Sequence, residues 1–295
     1  MDRILRCITS DGSIMAAAID STNIVYTAQQ IHHTSGVATA ALGRLLTGAS
    51  VMGSMLKKEN ATVTLKMNGG GPLGTIIAIA DSHGNCRGYV EHPDANMPLK
   101  SNGKLDVGGA VGKNGLFGVM RDYGEGSPYS GQIEIVSGEI AEDITNYYAT
   151  SEQIPTVCAL GVLVDKDDHS VLLAGGLLLQ VLPGADDAAI SKLEKNAADL
   201  EPVTTMLAKG MSMEEICEKA LSGFDLEILD EFNINYVCNC SKERVVRAIS
   251  TLKPEEILTL ADEEKGYMEA TCQYCNRNYQ LTKQELAAIA QSKSQ

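Results

Sequence analysis

Four cysteines near the end of the chain carry the clearest chemistry. They are Cys238-Asn239-Cys240 and, after an intervening stretch of 31 residues, Cys272-Gln273-Tyr274-Cys275. Thiolates in two short pairs suit tetrahedral zinc, each pair supplying two ligands from one turn. Four protein ligands leave no open position, which disfavours catalysis by the metal, and no H-x-E motif points to a deaminase. Thiolates are also the species that oxidants attack, each pair is close enough in sequence to close on itself, and oxidised sulfur no longer holds zinc. The four residues therefore fit either a permanent zinc ribbon or an oxidant-sensitive latch. A third option is an enzyme of thiol–disulfide exchange using Cys272 and Cys275, which requires CxxC at the start of a helix. The strand-like Tyr267–Thr271 and Tyr279–Thr282 on either side argue against it.

The elements that must position these thiols form a small C-terminal unit, expected over residues 232–295. Phe232 to Val237 alternates like a strand. Ser241–Leu252 and Pro254–Glu264 read as helices, Tyr267–Cys272 and Tyr279–Thr282 as strands, and Glu285–Ala290 as a closing helix. A unit of this size has a marginal core, and structural zinc supplies on the order of 10–16 kcal/mol of folding free energy. A helix starting at Ser241, with Lys242 and Arg244 in its first turn, is expected to favour the Cys240 thiolate.

The rest of the chain is of two kinds. Of the 28 glycines, 21 lie at or before Gly138. Up to Pro183 the pattern alternates hairpins and helices, so the fold class is α+β: a Gly-rich, mixed-sheet N-terminal domain with packed helices over 1–183. Expected strands there are 2–8, 13–19, 62–67, 74–80, 86–91, 116–121, 131–137, 154–164 and 170–182. Expected helices run from Ser21 or Thr22 to His33, from Gly36 to Lys58 and from Glu139 to Thr150. Residues 184–231 read as an acidic helical linker. Within it, residues 186–230 hold 11 acidic and four basic residues. Ile190, Leu193, Ala197 and Leu200 make one narrow apolar stripe, and Ser212–Leu221 forms a second amphipathic helix. Such a segment depends on docking for its order.

Composition removes several classes. A net charge of −14 excludes a general nucleic-acid binder. The apolar fraction of 44% with 21% charged residues is that of a folded chain, and 4% aromatics imply an aliphatic, Ala-rich core. The N-terminus lacks a signal-peptide apolar run, and the uncharged stretch His169–Ala185 is too short and interrupted for a membrane span. A cytoplasmic location is the expectation, with the thiols reduced. Gly69-Gly70-Gly71-Pro72-Leu73-Gly74 matches the dinucleotide fingerprint literally, but Pro72 and the strand-like Thr75–Ile79 make it a turn. Asp165–Asp168 lacks the later calcium-loop positions and reads as a hairpin turn. His32 and His33 read as helix-end residues. Cys7, Cys158 and Cys217 are expected in the core, and Cys86 near an exposed turn.

Taken together, the motifs resemble those of the redox-regulated 33 kDa heat-shock chaperonin family of bacteria. The matching residues are the two cysteine pairs with Tyr279, Ala38-Thr39-Ala40-Ala41-Leu42-Gly43-Arg44, Ser151-Glu152-Gln153-Ile154-Pro155-Thr156, and Ala174-Gly175-Gly176 leading to Gln180-Val181-Leu182-Pro183. No motif position departs from the family pattern, and the linker is the least family-specific part. The resemblance implies an ATP-independent holdase rather than an enzyme, with no catalytic residues. Reduced Cys238, Cys240, Cys272 and Cys275 would bind one zinc per chain and keep the protein inactive. Oxidation would form Cys238–Cys240 and Cys272–Cys275 disulfides, release zinc and expose apolar surface to unfolding client proteins. The resemblance further implies a homodimer as the active state, with neither nucleic acid nor membrane as a partner.

Overall fold

The computed structural model describes residues 1–292, so the last three residues of the expected C-terminal unit lie outside the described residues. It divides into Met1–Val237 and Cys238–Gln295.

In the larger unit, strands β1 (Arg3–Thr9), β2 (Ile14–Asp20), β8 (Thr156–Val164), β9 (Val171–Val181) and β10 (Leu226–Asn233) form one sheet in the order β10-β1-β2-β9-β8. A second sheet, β5-β4-β3-β6-β7, contains β3 (Thr62–Asn68), β4 (Ile76–Asp81), β5 (Cys86–Val90), β6 (Leu116–Asp122) and β7 (Tyr129–Glu134). The α+β class holds. Every ladder in both sheets is antiparallel, and parallel pairing is confined to the isolated bridge between Cys86 and Tyr236.

Helix α2 (Gly36–Ser54) is the centre of this unit. Every residue in it except Arg44 is buried. Its small side chains let it lie close to both sheets, within one core that takes Leu65, Met67 and Ala78 from the second sheet and Ile4, Ile19 and Leu178 from the first. A Cβ at Gly53 would stand 2.5 Å from the Asp81 carbonyl oxygen, and one at Gly48 2.6 Å from the tip of Ile144. Helix α1 (Thr22–His32) precedes it. Its first turn is capped from a distance: Asp2 accepts hydrogen bonds from the Asn23 and Ile24 amides at 2.9 and 2.6 Å. Ser21 makes no such bond, because its hydroxyl is engaged with Thr47 at 2.7 Å. Burial raises the Asp2 carboxyl above its ordinary range against the lowering effect of these amides.

The first sheet is apolar on both faces. Ile4, Ala17, Ile19 and Leu178 turn towards α2. Leu5, Cys7, Ile14, Ala16, Ala18, Leu177 and Leu179 turn the other way. That second face is covered by α5 (Asp187–Ala198), α6 (Val203–Ala208) and α7 (Met213–Ala220), which contribute Leu193, Val203, Met206, Met213, Ile216, Cys217 and Ala220. Glycines in the sheet allow the approach: a Cβ at Gly161 would meet Thr204 at 2.7 Å, and one at Gly175 would meet Leu207 at 2.7 Å. On the outer side, Glu201 pairs with Lys209 and Lys219 at 2.8 and 2.9 Å. Those bonds hold its carboxylate down at about 2, so what they contribute is present at neutral pH and lost as pH falls towards that value.

Several boundaries differ from the sequence reading. The strand expected at Phe232–Val237 lies earlier, at Leu226–Asn233, because its acidic residues answer β1: Glu231 pairs with Arg3 at 2.8 Å, and Asp230 binds Arg6 at 2.8 Å. The two compact units adjoin in sequence at Val237 and Cys238. Helix α4 (Ala141–Tyr147) ends in a π turn over Tyr148–Glu152. The short helices α3 (Val107–Val111) and α6 have no counterpart in the sequence reading. Gly69–Gly74 is a turn between strands, as expected, with Gly69 and Gly71 against the Val111–Gly112 backbone. Cys86, expected near an exposed turn, is 1% exposed.

Two substitutions in α2 separate backbone from side-chain crowding. Gly53→Ala forces a methyl group against a carbonyl and is expected to cost about 1–3 kcal/mol in urea unfolding. Gly48→Ala meets only a movable side-chain tip, and the helix gains up to about 1 kcal/mol from alanine, so its midpoint stays close to the parent.

Candidate metal centre

In the smaller unit, α8 (Lys242–Ile249) and α9 (Pro254–Leu258) precede a hairpin of β11 (Tyr267–Thr271) and β12 (Asn278–Thr282), which leads into α10 (Lys283–Ser292). Its core is slight: Ile249, Ile257, Leu281, Leu286 and Ala290 are the buried apolar residues of its cluster. Cys238 and Cys240 lie in the extended segment before α8, where the Ser241 hydroxyl accepts from the Arg244 amide at 3.3 Å and starts the helix. Cys272 and Cys275 lie in the β11–β12 turn. Asn276 adopts φ +54° there, and its amide returns to the Cys272 carbonyl at 2.8 Å.

All four sulfurs fall within 4.8 Å of one another. Cys238 and Cys272 are 3.6 Å apart, and Cys240 and Cys275 3.3 Å. Four sulfurs at ordinary Zn–S bond lengths stand about 3.8 Å apart on the edges of a tetrahedron. The donor set and spacing fit a metal of that kind. The CxxC pair is in a turn between strands, not at a helix start, and so lacks the setting a thiol–disulfide exchange enzyme would give it.

The thiols are not equivalent. Burial pushes Cys238 up, and pushes Cys275 up to about 12. Burial also works upward on Cys240, but hydrogen bonds from the Tyr279 hydroxyl (3.0 Å) and neighbouring thiols bring it down to about 7. The expectation that Lys242 and Arg244 favour the Cys240 thiolate is corrected. Lys242 is drawn to Glu285 at 2.6 Å, and Arg244 donates to the Asn239 side chain at 2.8 Å. Tyr279 does that work from β12, four positions after Cys275, while the Arg277 guanidinium is near enough to Cys240 and Cys275 for their charges to act on it. The other expected thiols are elsewhere, with Cys7, Cys86 and Cys217 buried and Cys158 partly so. His32 is a helix-end residue, its ring against the Gly88 carbonyl at 3.0 Å.

The model of the "Hsp33 protein" family matches residues 2–282. The chain belongs to the Hsp33 family. The 33 kDa chaperonin of Acetivibrio thermocellus is 46% identical over 288 residues, spanning 98% of this chain and 96% of that protein. The 33 kDa chaperonin of Bacillus licheniformis is 44% identical over 289 residues, spanning 98% and 99%. The crystal structure of the 33 kDa chaperonin (heat shock protein 33 homolog) of Thermotoga maritima superposes with a TM-score of 0.88 at 32% identity, covering 99% of this chain and 98% of that one. The Hsp33 assignment makes this a chaperone-family chain whose four-cysteine cluster can hold a metal ion.

Tyr279→Phe removes the hydroxyl that favours the Cys240 thiolate. In metal-stripped protein at pH 7, Cys240 is expected to react with iodoacetamide several-fold more slowly, read by mass spectrometry of its peptide. An unchanged rate would show that Tyr279 does not set its reactivity.

Proposed function

We propose that this protein is a redox-regulated, ATP-independent holdase, a chaperone and not an enzyme. It binds unfolding client proteins under oxidative stress and prevents their aggregation. Cys238, Cys240, Cys272 and Cys275 hold one zinc when reduced. Zinc, when bound, supplies the cross-links that a unit with so small a core lacks. Oxidation pairs Cys238 with Cys240 and Cys272 with Cys275. Each pair yields two electrons to a peroxide, which leaves as two waters, and the disulfide sulfurs no longer serve as ligands. Cys240, the thiol its surroundings favour most as thiolate, is the first site of attack.

The observation that carries this reading is the two-faced first sheet. Its second face is covered by α5–α7 (187–220), which lie in the segment 184–231 that we take as the linker between a chaperone core (1–183) and a zinc unit (232–295). Those helices have narrow apolar stripes, and the stretch 186–230 that contains them carries a net charge of −7, so they are the less costly of the sheet's two covers to remove. Once uncovered, Leu5, Ile14, Ala16, Leu177 and Leu179 offer a flat aliphatic surface that suits exposed apolar segments of many clients. The acidic linker keeps the opened protein soluble. The reading includes a cytoplasmic location and a homodimer as the active state, without nucleic acid or membrane as partner.

The test measures zinc release and suppression of client aggregation, with and without hydrogen peroxide at raised temperature. Peroxide is expected to release zinc and switch suppression on, and a reductant to reverse it. Oxidised protein that keeps its zinc and suppresses nothing contradicts the proposal and leaves a constitutive zinc-ribbon module. Ile216→Asp provides a second route. A carboxylate in the cluster beneath α7 costs several kcal/mol and should uncover the sheet. The reduced, zinc-bound variant is then expected to suppress aggregation without peroxide.

A further inference from the structure

The cluster between the first sheet and α7 holds a second pair of facing thiols, which the metal centre does not use. Cys7 on β1 turns to the same face as Leu5, and Cys217 lies on α7 beside Ile216. Each is 1% exposed. Both lie in the one apolar cluster where α7 packs on β1, and each thiol is near enough to shift the other's titration. The β1–β10 register shifts between Arg6 and Cys7, so the strand carries an irregularity at this point. Near neighbours across an interface are what a disulfide requires.

We propose that Cys7 and Cys217 form a disulfide that staples α7 to the first sheet. A peroxide reacts at the Cys7 sulfur: an S–O bond forms, the O–O bond breaks, and hydroxide leaves. Cys217 then attacks that sulfur. The S–S bond forms, the S–O bond breaks, and the departing hydroxide takes up a proton as water. The two cysteines lose two electrons in total, and the peroxide ends as two waters. The neighbouring Cys217 thiol favours Cys7 as the first to react, while Cys7 and burial push Cys217 up and make it the resolving one.

The staple acts in the opposite sense to the metal centre. Oxidation of Cys238, Cys240, Cys272 and Cys275 uncovers the sheet, and oxidation at Cys7 and Cys217 holds the cover on. The docked pair is shielded, so it reacts later than the partly exposed metal-centre thiols, in chains whose α7 has opened and settled back. This brake rests on the functional reading above; the staple itself does not.

Full-length, zinc-bound protein is treated with hydrogen peroxide, with and without urea below the unfolding midpoint. Free thiols are blocked with N-ethylmaleimide, and peptides are mapped without reduction. A Cys7–Cys217 peptide is expected in the urea arm. After removal of urea, that protein should resist tryptic cleavage at Lys209 and Lys219 about tenfold longer than Cys217→Ala treated alike. Cys7→Ala, which alters the strand instead of the helix, is the second reference. Absence of the linked peptide in the urea arm, or equal cleavage in linked and unlinked protein, overturns the staple. Failure of the functional reading is separate: without urea, zinc and the four ligand thiols would survive peroxide.

Discussion

The constraint on which the structure depends is that the first sheet has two apolar faces and both must be covered. One face meets α2, a helix whose small residues admit it deep into the core shared with the second sheet. The other meets three short helices, each laying a narrow apolar stripe on it. The two covers are unequal in kind. Removing α2 would dismantle the core, whereas removing α5–α7 would leave α2 and both sheets in place. A protein built this way has a large apolar surface that it can reveal without unfolding its main core, given a means of dislodging the weaker cover.

The smaller unit has a small apolar core. Its buried apolar residues are few, and its four sulfurs converge where a larger domain would have hydrophobic packing. Its order is therefore tied to the chemistry of those sulfurs. Tyr279 sets one corner of the cluster apart by favouring the Cys240 thiolate, with Arg277 close by. Chain continuity links this to the rest: β10 ends at Asn233, residues 234–237 follow the edge of the second sheet, and the first ligand is the next residue.

Much of this was legible in the sequence. The cysteine spacing marked the centre because tetrahedral sulfur sites are closed by short loops, a local property. The runs Ala16-Ala17-Ala18 and Leu177-Leu178-Leu179 lack alternation, as strands buried on both faces do. Non-local features were not legible. Nothing near Leu226–Asn233 announces that its acids would face Arg3 and Arg6, so the strand is expected too late in the sequence. The Asp2 cap on α1 comes from the residue just before β1. Lys242 and Arg244 had the right charge and place in sequence, but Glu285 and Asn239 claim them in space. The Cys7–Cys217 contact joins residues from opposite ends of the larger unit, beyond any local pattern.

The central claim is that the cover formed by α5–α7 is lost when the metal centre is oxidised, while the rest of the larger unit stays folded. Amide hydrogen exchange on the full chain, reduced with zinc and then oxidised, tests this directly. The account predicts that peptides from 187–220 lose their protection on oxidation while those from α2 and β9 keep theirs. Retained protection across 187–220 in oxidised, zinc-free protein would contradict it.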